Sequence, residues 1–211
     1  MDFESYREKY KKHLPHGHIN YLLIGESPPN QSGEHPFFFY YDEGDINKVG
    51  VLFKNTMMAL YERDWSTLDW NVERIPESKR ELLEKFSADG FYLIDETDQI
   101  IAGLRKKEKR PILKSVKESR SLVRQISELA RQNHVSGKTR IAFVSCLGYD
   151  VFFEHLQGQR IPIGSEELRM KDLLVDKRMP FPSHGHAQRF RESLQSLENP
   201  IQKKSNTPQI L

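Results

Sequence analysis

The chain reads as α/β: a three-layer α/β/α sandwich around a central, mostly parallel four-stranded sheet. Two observations predict this. Short apolar runs at Tyr21–Ile24, Phe91–Ile94 and Ile141–Ser145 have the length and continuity of strands buried on both faces. Between them lie longer segments whose apolar residues recur at helical spacing. Such alternation builds a parallel sheet covered by helices on both sides. At 211 residues, 37% hydrophobic and 29% charged, the chain is expected to form one soluble domain over 1–198, with a disordered polar tail over 199–211.

Taken in order, Phe3, Tyr6 and Tyr10 form a weak helical stripe ending near Pro15. The first strand follows, with Gly25 placed to make a sharp turn and Glu26 at the strand's mouth. Pro28 and Pro29 stiffen the exit, since neither continues a helix or a central strand. Val51–Arg63 carries Leu52, Phe53, Met57, Leu60 and Tyr61 on a helical period, and Thr67–Pro76 is expected to be irregular. A helix opens at Pro76-Glu77-Ser78, with proline and acid in its first turn, and Asp89-Gly90 stops it before the second strand. Arg105–Arg110 reads as a basic loop ahead of Pro111. Ser115–Asn133 reads as one continuous helix, facing inward through Leu122, Val123, Ile126, Leu129 and Ala130. The third strand precedes a helix over Leu147–Leu156. Leu173–Phe181 is placed as a short fourth strand, and Ser183 caps a last helix facing inward through Ala187, Phe190, Leu194 and Leu197.

Several function classes lose support at this point. No apolar run approaches the roughly 20 residues of a membrane span, and Met1–Lys12 lacks the apolar core of a signal peptide, so a cytoplasmic location is expected. The single cysteine, Cys146, excludes a disulfide framework and a cysteine-ligated iron–sulfur cluster; it reads as a small buried apolar residue. There is no P-loop and no Gly-x-Gly-x-x-Gly. His13, His16 and His18, and likewise His184 and His186, have metal-like spacing without a matching carboxylate pattern, so no metal and no cofactor are expected. The net charge of +2 permits a nucleic-acid partner without requiring one.

Ligands of open α/β sheets sit beyond the carboxyl ends of the strands. Glu26 stands there, followed within about a dozen residues by Pro36-Phe37-Phe38-Phe39-Tyr40-Tyr41. This pairing suits a flat ring held beside an acid.

Gly25-Glu26-Ser27-Pro28 followed by Pro36-Phe37 resembles a motif of the uracil-DNA glycosylase superfamily, whose first strand runs into a Gly-Glu-x-Pro loop with a ring beyond it that stacks on a flipped-out base. Pro182-Ser183 before a helix is similar to that family's second motif, and the resemblance spans residues 20–195. It implies a uracil-DNA glycosylase-like fold and hydrolysis of the N-glycosidic bond of a damaged or deaminated base in DNA, lesion-bearing or single-stranded. By the same resemblance Glu26 stabilises the sugar cation and positions water. Phe37 or Phe39 stacks on the base, and Asp95 reads it. Ser183 grips a phosphate, and His184 or His186 serves the leaving base or the backbone. Separately from the resemblance, the basic run Lys106, Lys107, Lys109 and Arg110 reads either as a solvated loop or as the lining of a DNA groove, with Lys106 and Lys107 on phosphates.

Two positions depart from the family pattern. Phe181 stands where the family's second motif has His or Asn, and a phenyl ring donates no hydrogen bond. Either His184 or His186 replaces that donor, or catalysis is weakened or absent. Asp95 falls near the position of a uracil-reading Asn. An ionised carboxylate only accepts, which favours a base bearing an amino or ring N–H over plain uracil. Two rivals follow: a non-catalytic nucleic-acid-binding member of the same fold, and a small-molecule or nucleoside hydrolase on an α/β scaffold.

Overall fold

The computed structural model describes residues 11–28, 38–41, 50–65, 75–183 and 185–198. Three parallel strands form the sheet: β1 (Tyr21–Gly25), β2 (Phe91–Asp95) and β3 (Arg140–Phe143), in the order β2-β1-β3. Central β1 pairs Leu23 with Leu93 on one side and with Ala142 on the other. Leu22, Leu23 and Ile24 have no solvent exposure, as an apolar run at the centre of a covered sheet requires.

Helices cover both faces. On one lie α1 (Val51–Trp65), α2 (Ile75–Ala88) and α7 (Ala187–Glu198). They pack Phe53, Met57, Leu82, Phe86, Phe190 and Leu194 against Leu23, Phe91, Leu93 and Val144. On the other lie α3 (Lys106–Ser119), α4 (Ser121–Arg131) and α5 (Cys146–Gln157). Their Leu113, Ile126, Leu147, Phe152 and Leu156 pack against Leu22, Ile24, Ile141 and Phe143. Each such side chain contributes about 1.5–3 kcal/mol on burial. A short helix, α6 (Met170–Leu173), and an antiparallel hairpin, β4 (Arg160–Ile163) and β5 (Glu166–Arg169), complete this side. Among the described residues, no helix is long and apolar enough to cross a membrane.

The structure corrects three expectations and adds one element. The parallel sheet has three strands, not four. The segment expected to supply the fourth makes one parallel bridge, Leu174 to Ile141, and the Val175 amide donates to the Ile141 carbonyl at 2.8 Å. The Lys177 amide then donates back to Val175 at 2.8 Å, turning the chain away, and Pro180 and Pro182 have no amide hydrogen to continue a ladder.

The basic run at 105–110 is helical rather than a loop. The Arg105 amide donates to Glu108 Oε2 at 2.8 Å and the Arg105 guanidinium clamps the same carboxylate, capping α3. That contact holds the exposed Glu108 carboxyl below its usual range. Pro111 lies inside the helix and forfeits one backbone bond.

The single helix expected over 115–133 is broken by Arg120, in the left-handed region at φ 58°. The hairpin went unforeseen, although Gly164, with φ 58°, and Ser165 separate its strands as a two-residue turn does. The stripe at 3–10, the segment 67–74 and the tail at 199–211 lie outside the described residues.

Candidate functional site

Gly25 ends β1 without a positive φ; its value is space. A Cβ there would stand 2.9 Å from Asp95 Oδ1, which fills the gap on the α1 side of the sheet. The next residue, Glu26, meets α3 and α5. Its Oε2 accepts from Lys109 Nζ at 2.5 Å. Its Oε1 accepts from Ser145 Oγ at 3.4 Å, and Ser145 in turn caps α5 by accepting the Gly148 amide at 3.2 Å. The Glu26 and Lys109 side chains are 16% and 17% exposed, so the pair is largely shielded but open on one side.

Glu96 is the matching residue just past the end of β2. Gly25 pairs with Asp95, and the Glu96 amide donates to the Gly25 carbonyl at 2.8 Å. The Glu96 carboxyl is fully buried, and neither oxygen has a hydrogen-bond partner among the described residues. It occupies the space left by Gly148, where a Cβ would fall 1.5 Å from Oε1. Burial pushes this carboxyl well above the usual range, and the negative charges of Glu26 and Asp95 add to the effect while Lys109 opposes it. Burial and the two neighbouring carboxylates outweigh Lys109, and the balance favours the neutral, protonated form.

Glu26 opens into a cleft of about 400 Å³. Lys106 and Lys109, one helical turn apart on α3, contribute to it. Ser145, Cys146 and Leu147 enter from the start of α5, Arg178, Pro180, Phe181 and Ser183 from the segment after α6, and His186 and Arg189 from the start of α7. Asp150 on α5 steadies two of the cations: Arg178 donates to it at 2.9 Å and Lys106 stands 3.8 Å away. Among the described residues, the lining thus sets Lys106, Lys109, Arg178 and Arg189 against the single carboxylate of Glu26. Such a surface suits an anion carrying several charges.

The structure brings Glu26, Lys106, Ser183 and His186 together here. Lys107 is exposed on α3 and does not line the cleft. Phe39, expected to stack on a base, is a core residue. It packs edge-on against Phe53 at 5.4 Å and lies 5.3 Å from Phe86, and Phe38 and Tyr40 beside it are buried as well. Phe53 of α1 and Phe86 of α2 cover Phe39, while Tyr40 stacks on Tyr92 of β2 and on His13. Asp95, expected to read the base, is also absent from the lining. Period-2 geometry sends it to the α1 face, against Gly25, while its neighbour Glu96 points to the α5 face. Phe37 and His184 lie outside the described residues. His13 stacks on Tyr40 at 5.4 Å and His18 Nδ1 donates to the Asn133 carbonyl at 2.7 Å. Among the described residues no three His, Cys, Asp or Glu side chains come together as metal ligands.

Sequence reasoning missed Glu96, Arg178, Arg189 and the ion pair of Lys109. Parallel register pointed to Glu96, because residues following two paired strand ends stand side by side. Nothing local pointed to Arg178 or Arg189. Comparison of the chain with protein-family models, curated proteins and solved structures finds no match.

Proposed function

We propose that the protein hydrolyses the N-glycosidic bond of a damaged or deaminated base flipped out of DNA, as a divergent uracil-DNA glycosylase-like enzyme of the cytoplasm. The observation that carries this reading is the carboxylate of Glu26, at the carboxyl end of the central strand, inside a cleft whose other charged side chains, among the described residues, are cationic. Breaking the bond builds positive charge on the sugar and negative charge on the leaving base. A fixed carboxylate beside the sugar stabilises the first, and the ion pair to Lys109 with the hydroxyl of Ser145 holds Glu26 in one orientation. Lys106, Arg178 and Arg189 offset backbone phosphates, Ser183 offers a hydroxyl to one of them, and His186 is the described donor for the leaving base. The order of the motifs along the chain also supports the reading.

The test is release of base from duplexes carrying uracil, hypoxanthine or xanthine, scored as abasic sites. Abasic product is expected from at least one lesion, with Glu26→Gln slower by about 100-fold. Product from no lesion, or equal rates for the variant, overturns the enzyme.

One observation favours a second reading, a non-catalytic nucleic-acid binder: Lys109 at 2.5 Å neutralises the carboxylate that catalysis needs. That reading predicts salt-sensitive DNA binding without abasic product. The open, cation-rich cleft weighs against the small-molecule hydrolase, which requires a narrow closed pocket.

A further inference from the structure

Phe181 is 39% exposed, whereas every other described phenylalanine is buried. It shares the cleft with Arg178, Arg189 and Lys106. Its backbone is stiff. Pro180 and Pro182 flank it and restrict the torsions on both sides, and its carbonyl accepts the Ser183 amide at 2.8 Å. The segment is pinned through Met179 and Pro182, both buried. The ring is therefore held out into a cationic cleft by ordered chain, with neighbours anchored in the core. A π-face at the centre of a positively charged groove is the arrangement that binds unpaired bases: the ring stacks on the heterocycle while the cations follow the phosphates.

We propose that Phe181 is the stacking platform for an unpaired nucleobase, with Arg178, Arg189 and Lys106 taking the phosphates of the same strand. This rests on the nucleic-acid reading of the cleft and sharpens it: the substrate class is a single-stranded or base-extruded nucleic acid. Position 181, read from the sequence as a lost hydrogen-bond donor, becomes a gained aromatic surface. It takes over the role that Phe39 cannot serve from the core.

Fluorescence anisotropy with two labelled probes tests this, a short oligothymidylate and an abasic strand of equal length and charge. Wild type is expected to bind the oligothymidylate more tightly. Phe181→Ala should weaken that binding about tenfold and leave the abasic strand unchanged, and Phe181→Trp should keep the preference. Arg189→Ala should weaken both strands alike and lower the slope of log affinity against log salt by about 1. If Phe181→Ala weakens both strands equally, or neither, the platform is overturned while the cationic cleft stands. If wild type binds neither strand, the nucleic-acid reading falls and the platform with it. Because the readout is binding, loss of base release in Glu26→Gln bears on neither outcome.

Discussion

Glu26 and Glu96 follow the ends of adjacent strands in matching register, yet they have opposite surroundings. At the end of β1, the first turn of α3 delivers Lys109 to within 2.5 Å and the cap of α5 supplies Ser145; the carboxylate is paired and reaches the cleft. At the end of β2, α5 presents Gly148, which has no side chain. The Glu96 carboxyl fills that space, sealed from solvent and without a hydrogen-bond partner among the described residues. The same residue type at the same depth of one sheet thus becomes a charged group at a cleft wall and an acid driven toward neutrality inside the core. The lesson is that strand position selects where a carboxylate stands, while the helices packed above it select its charge state.

Changing the space around Glu96 is expected to have the largest effect. Gly148→Ala puts a methyl group 1.5 Å from Oε1, so the carboxyl must move. A loss of about 3 kcal/mol is expected, measured by urea unfolding. Combining it with Glu96→Ala should recover much of that loss, because the clash goes with the side chain. Additive losses would mean the two positions do not share that space.

Removing the partner of Glu26 comes next. Lys109→Met strands a largely shielded carboxylate. The cost is expected at about 1–2 kcal/mol, below that of a fully buried pair because both groups keep some solvent. It should also push the Glu96 carboxyl higher, since Lys109 is the cation that lowers it. A variant as stable as wild type would show that the pair contributes nothing.

Glu96→Gln has the subtlest signature, a slope. The folded Glu96 carboxyl titrates above its ordinary value of 4.5, so the native state binds the extra proton. Its stabilising contribution is complete below that value and is lost as pH rises toward the folded value, at no more than about 1.4 kcal/mol per pH unit. Melting temperature measured against pH should therefore fall for wild type relative to Glu96→Gln as pH climbs from 4.5. Parallel curves would mean that Glu96 titrates normally.

Much of the fold was legible locally. The runs at 21–24, 91–94 and 141–145 were read as strands because continuous apolar side chains need cover on two faces; the third ends at Phe143, and Ser145 caps α5 instead. Leu82, Leu83, Phe86, Leu122, Ile126, Phe190 and Leu194 reached the core because helical periodicity had already put them on one side. The start of α3 misled because a basic run looks solvated; its helix depends on Glu108 folding back on Arg105, a contact that composition does not reveal. Gly25 was read as a turn, whereas its lack of a side chain serves Asp95, a residue from another strand.

By itself, the sequence determined that this is an α/β chain, which faces of its main helices turn inward, and that a carboxylate follows its first strand. These are questions of short-range periodicity, answered by side chains a few residues apart. Only the tertiary structure decided that Phe39 belongs to the core and Phe181 to the cleft, that Glu26 is paired and Glu96 is not, and that Arg178 and Arg189 join the lysines of α3. Each of those outcomes depends on contacts between segments far apart in the chain, where burial and the nearest charge are properties of the packed molecule and of no single stretch.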